Sequence, residues 1–94
     1  PVQSSDILKV LEQEYRRAAI AVFSRMTAAC GAQLGLTPAA VRLSDARSTW
    51  GTCSAANVIR YNWRAIGLPE ELLQYLVVHE LCHIRHKHHQ PPFW

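Results

Sequence analysis

Residues 72–94 read LLQYLVVHELCHIRHKHHQPPFW, and they constrain the fold of this chain more than any other stretch. His79, Glu80, Leu81, Cys82 and His83 spell H-E-x-x-H, and all five histidines lie in this segment. On an α-helix, residues four apart share a face, about 6 Å from one another. His79 and His83 can therefore aim two imidazoles at one point. Glu80, one position on from His79, can reach a water held at that point. Two histidines on a metal, with a carboxylate taking a proton from the metal's water, form the working part of a zinc peptidase.

The segment reads as helix on grounds independent of the motif. Pro69 suits a first helical position, and Glu70 and Glu71 put negative charge where the helix dipole favours it. Leu72, Leu73, Tyr75, Leu76, Val77, Val78, Leu81 and Cys82 are apolar almost all the way round, the pattern of a buried helix. A buried helix carries two histidines and a glutamate only if they are satisfied. Pro91 and Pro92 disfavour helix at Gln90, so the helix ends by His88.

A catalytic zinc takes three protein ligands and keeps a position for water. His86 shares a face with His79 but lies about 10 Å further along the axis, too far for one metal to hold His79, His83 and His86 together. His89, six residues after His83, reaches the site if the helix ends before it and the chain turns back. On this geometry His89 ranks first as third ligand, His88 second and His86 third. The metzincin spacing carries Gly where this chain has His86, so a metzincin is not implied. A structural zinc would want a fourth side-chain ligand. Cys82 points about 100° away from His83 around the helix and is expected to face the packing.

Ninety-four residues make one domain, near the small end of what sustains its own core. The 49% hydrophobic and 18% charged fractions exclude a disordered chain. The net charge of +3 is mild, with Arg42, Arg47, Arg60 and Arg64 gathered in the middle third. That pattern reads first as a solvated basic face and second as a contact for nucleic acid or an acidic substrate. Cys30, Cys53 and Cys82 are odd in number and irregularly spaced, and no stretch reads as a signal peptide or a membrane span. The expectation is a reducing, cytoplasmic setting.

Along the chain, Ser4, Ser5 and Asp6 are N-cap candidates. Leu8, Leu11, Tyr15, Ala18, Ala19, Val22, Met26 and Ala29 then recur at intervals of three and four, which predicts an amphipathic helix to about residue 33, stopping near Gly35. Its apolar positions are expected in the core. Residues 41–44 and 58–63 alternate apolar and polar and are rich in strand formers. The polar stretch between them, residues 48–57, reads as a short strand flanked by turns. The expected fold is α+β: a long N-terminal helix, a small antiparallel sheet of two to three strands, and a buried C-terminal helix carrying the H-E-x-x-H in zincin-like fashion. Cys53 is expected as a buried small residue, and Trp50, Trp63, Phe93 and Trp94 as core or its edge. Arg47, Arg60 and Arg64 are secondary candidates for binding a carboxylate or phosphate.

STWGTCSAANVIRYNWRAI followed by VVHELCHIRHKHHQPPFW resembles the YgjP-like, SprT-related zinc metallopeptidases of bacteria. Their pattern is S-R-W-G-S-C-S, a turn, I-x-L-N-W-R, then V-x-H-E-L-x-H-L-x-x-x-N-H-S-x-x-F-W, and the match covers roughly residues 36–94. The resemblance implies zinc ligands at His79, His83 and His89, with Glu80 as catalytic acid/base. Thr49, Asn57, Tyr61, His88 and Gln90 depart from the pattern, and none of them replaces an implied ligand or the acid/base. Family members continue past the F-W pair into a further helix, so the resemblance implies a single domain, residues 1–94, that lacks a C-terminal helix. The function expected is zinc-dependent hydrolysis of a peptide or protein substrate, without a membrane partner. The alternative is a non-catalytic metal-binding or DNA-associated adaptor module, for which nucleic-acid contact has no specific support in the residues.

Overall fold

In the computed structural model, which describes residues 3–86, the three- and four-residue recurrence of the N-terminal segment builds α1 (Ser4–Leu34). Asp6 and Ile7 donate their backbone amides to the Gln3 carbonyl at 3.0 and 3.2 Å. Gln3 is thereby the N-cap, and Ser4, Ser5 and Asp6, the expected caps, fall inside the first turn. The C-terminal end behaves as the glycine predicts. Gly35 adopts φ 70° in the left-handed region, where a side chain would be strained, and its amide caps back to Gly31.

Only the second half of α1 is covered. Ala19, Phe23, Thr27 and Cys30 are buried, whereas Leu8, Leu11 and Tyr15, expected in the core, are exposed. At about 1.5 Å per residue α1 is roughly 46 Å long, and among the described residues the sheet and second helix pack along its C-terminal part. Periodicity marks which side of a helix is apolar but not how far a neighbour extends along it.

Three short strands follow: β1 (Ala40–Ser44), β2 (Gly51–Cys53) and β3 (Val58–Asn62). β3 lies in the middle. β2 pairs with it antiparallel, as expected, but β1 pairs with it parallel, so the sheet is mixed rather than antiparallel. The cause is residues 45–50, which carry the chain from one edge of the sheet to the other. Asn62, at the end of β3, pins that crossing. Its side-chain amide donates to the carbonyls of Ala46 and Thr49, and its backbone amide donates to Trp50 at 2.8 Å. The chain then returns along the far edge and turns at Asn57, whose φ of 66° is one that asparagine tolerates better than most side chains. Residues 45–57 thus form a connection long enough for a parallel pair.

After β3 a single 3-10 segment (Trp63–Gly67) leads into α2 (Glu70–Arg85), with Pro69 at the N-cap, one position earlier than expected, and His86 at the C-cap. α2 buries Leu73, Val77, Glu80 and Leu81 against α1 and the inner face of the sheet. Phe23 stacks on Tyr61 at 4.4 Å between ring centroids, and Tyr61 shares a 2.9 Å hydrogen bond with Thr27 in the same core. Burying a side chain the size of Val77 or Leu81 contributes about 1.5–3 kcal/mol each. This core fixes α2 against β2, which is what positions the site. No helix among the described residues is long and apolar enough to cross a membrane.

Candidate active site

α2 is not apolar on every side by accident of composition. Its fully buried stripe is narrow, and Leu72 and Tyr75 are 51% and 70% exposed. The expectation of a helix buried all round is corrected accordingly: one side faces the core and another is open. His79 and His83 lie on that open side, half-buried, with Tyr75 one turn before them. The His79 and His83 rings meet edge to face at 5.0 Å between centroids, and Tyr75 stacks on His79 at 6.1 Å. The four-residue spacing therefore brings the two imidazoles together as the sequence requires.

Glu80 lies between the open side and the core, only 4% exposed. Burial pushes its carboxyl up from the ordinary 4.5 to about 7. Gly51 of β2 lies directly over it. A Cβ placed on Gly51 would come 3.0 Å from Glu80 Oε2, 3.1 Å from its Cγ and 3.2 Å from Leu76 Cδ1. Here the glycine is a matter of close approach: the edge strand can lie against the glutamate only without a side chain. The polar stretch 48–57 was expected as a short strand flanked by turns, with no such contact foreseen for Gly51. The available signal was a glycine inside a strand, which marks a place where another group comes close.

His86 caps the helix, and among the described residues no group of three His, Cys, Asp or Glu side chains is arranged to hold a metal ion. His88 and His89, the two preferred third ligands, lie outside the described residues, as do Phe93 and Trp94. Cys82 is half-buried and also stands apart from any such group. Cys53, on β2, is packed against the core but only half-buried, with its thiol 3.7 Å from the Ser54 carbonyl. Trp63 packs as expected, with the Arg16 and Arg64 guanidinium groups 4.9 and 4.6 Å from its ring centroid. Trp50 does not: it is 52% exposed. Arg42 and Arg60 sit side by side in register on the outer face of the sheet. Arg47 and Arg64 line a separate cavity at its end.

What the described residues offer a metal can be judged from their chemistry. Two imidazole rings face the same space, and beside them lies a largely buried carboxyl whose ionisation is disfavoured by desolvation. A divalent cation with a bound water would offset that desolvation, so the donor set fits one, with the completing ligand to come from residues beyond 86.

The YgjP-like metallopeptidase domain family matches the chain over residues 1–94. Among solved structures, the chain is similar to the metallopeptidase zymogen jannalysin of Methanocaldococcus jannaschii, with a TM-score of 0.64 and 20% identity, covering 72% of this chain and 68% of that one. At that identity the likeness is one of fold. No curated protein matches the chain at a significant level. With the fold, the H-E-x-x-H geometry and a family match along its whole length in agreement, this chain belongs to the YgjP-like metallopeptidase domain family.

Proposed function

We propose that this domain hydrolyses peptide bonds with zinc as its metal and Glu80 as general acid/base. The observation that carries the reading is Glu80 itself, a largely buried carboxyl raised to about 7 by desolvation and set beside two paired imidazoles. His79, His83 and His89 would hold the metal through neutral imidazoles. When bound there, zinc supplies a Lewis acid for the scissile carbonyl and lowers the pKa of its water toward 7.

The rest falls to the chain's own residues. Glu80 takes the water's proton and then delivers it to the departing amine. A carboxyl tuned upward by burial suits both halves of that transfer near neutral pH. Gly51 holds Glu80 from above, limiting the directions its carboxylate can turn. Among the described residues β2 is an edge strand, and an extended peptide added along it would bind through main chain and tolerate varied side chains.

Glu80→Gln tests this most simply. The expected outcome is zinc retained at wild-type occupancy with hydrolysis of an unstructured protein substrate reduced by about 10²–10⁴-fold. Full activity in this variant would remove Glu80 from the mechanism.

A further inference from the structure

We propose that the cavity at the end of the sheet is a carboxylate-binding subsite that favours peptides with an acidic side chain close to the scissile bond; this rests on the peptidase reading above. The cavity holds about 390 Å³ and is lined by Arg47, Ser48, Thr49, Trp50, Asn62 and Arg64. Charge, hydrogen bonding and position all point to it.

The sequence concentrates positive charge in this part of the chain. Residues 36–68 hold Arg42, Arg47, Arg60 and Arg64 against Asp45 alone, a net +3 that equals the excess of the whole chain. Elsewhere cations and anions balance at six each. Asp45 cannot neutralise the group, because its one carboxylate is already shared by Arg64 at 2.9 Å, Arg16 at 3.5 Å and the Trp63 indole at 2.9 Å. Arg47 makes no ion pair among the described residues. Arg42 and Arg60, adjacent on the outer face, add to the same positive field. Like charges in register cost stability, so their pairing is not explained by folding.

The hydrogen bonding selects for an anion. In the crossing loop the carbonyls of Ala46, Thr49 and Trp50 are turned inward and taken by Asn62. Those acceptors are spent on holding the loop. What remains toward the cavity is the Arg47 guanidinium, with Arg64 held beside it by Asp45, and the hydroxyls of Ser48 and Thr49, which can donate. A planar guanidinium matches a carboxylate through paired hydrogen bonds. Exposed Trp50 gives the cavity an apolar wall for the methylenes of a glutamate.

Position ties the cavity to the reaction. Residues 47–50 run directly into Gly51, which touches Glu80. At about 3.3 Å per strand residue, Arg47 lies within roughly 13 Å of Gly51 along the chain. A peptide added along β2, an edge strand among the described residues, would pass the cavity two to four residues from the Gly51–Glu80 contact. A concave site fit for one side chain, at the end of the substrate strand, favours an acidic peptide over the spaced phosphates of a nucleic acid.

The test is a binding titration with zinc-loaded, untagged Glu80→Gln protein, so that turnover does not interfere. The probes are two fluorescein-labelled decapeptides that differ only in carrying Glu or Gln at three central positions, followed by anisotropy. The Glu peptide is expected to bind about 10-fold tighter, the size of a charge-assisted contact. Arg47→Ala should bring the ratio close to one without changing affinity for the Gln peptide, and Arg47→Lys should restore part of it. Arg47 is exposed and makes no ion pair among the described residues, so its replacement is expected to leave the fold intact. Equal affinity for the two peptides overturns the subsite. So does displacement of the Glu peptide by a single-stranded oligonucleotide that itself needs Arg47, which would make the surface a polyanion site. If wild-type protein cleaves neither peptide while the Arg47-dependent preference persists, the peptidase reading fails and the subsite stands.

Discussion

Two carboxylates show how differently this small domain uses charge. Asp45 lies on the surface of the crossing loop with Arg16, Arg64 and the Trp63 indole around it, and these hold its carboxyl below the usual carboxylate range, the indole hydrogen bond most of all. Glu80 lies beneath β2, and burial raises its carboxyl to about 7. A partnered, exposed acid fastens a loop. A buried acid whose pKa is raised by desolvation is the kind of group that clusters at functional sites. The contrast is what makes α2 the proposed seat of the chemistry and residues 45–50 its support.

The largest expected effect comes from removing what completes Glu80. His89→Ala should lose most of its zinc on dialysis and with it hydrolysis, read by elemental analysis and peptide cleavage on the same sample. Unchanged occupancy there would move the third ligand to His88. Next is Gly51→Ala. The added methyl would sit in tight contact with the Glu80 carboxylate and with Leu76, displacing the acid by a few tenths of an ångström. A shift of that kind should cost about 10-fold in kcat/KM with the metal retained.

The pH dependence of the metal-free protein sharpens the comparison further. Because the folded pKa of Glu80 is raised, its contribution to stability is full below about 4.5 and is lost as pH rises through about 7. After chelation, wild type should therefore lose Tm relative to Glu80→Gln between pH 5 and pH 8. A constant difference across that range would mean that Glu80 already has a partner. The smallest effect belongs to the other carboxylate. Asp45→Asn removes exposed ion pairs, which solvent screens, and should lower Tm slightly while leaving hydrolysis of a neutral peptide unchanged.

How much of this was legible in the residues follows the same division. H-E-x-x-H on a helix fixes the relation of His79, Glu80 and His83, because four-residue spacing is local geometry. The end of α1 at Gly35 and all three strands were legible from equally local signals. The parallel pairing of β1 was not. Alternation says which face a side chain takes, while strand direction was decided by Asn62 holding the loop at residues 45–50. Leu72 and Tyr75 misled for a related reason: apolar residues on every side of α2 looked like complete burial, yet some border an open site. Leu8, Leu11 and Tyr15 carried a clear apolar stripe with no information on what would lie against it. The closeness of Gly51 to Glu80 spans two distant segments, so no single stretch of sequence contained it.

The central claim is that a metal completes the space between His79, His83 and Glu80. Its most direct test is the metal content of the purified, untagged chain by elemental analysis, without added metal and again after reconstitution with zinc. The expected result is about one zinc per chain, as a mononuclear site requires. No bound metal under either condition would contradict it, leaving Glu80 a buried acid without a catalytic role.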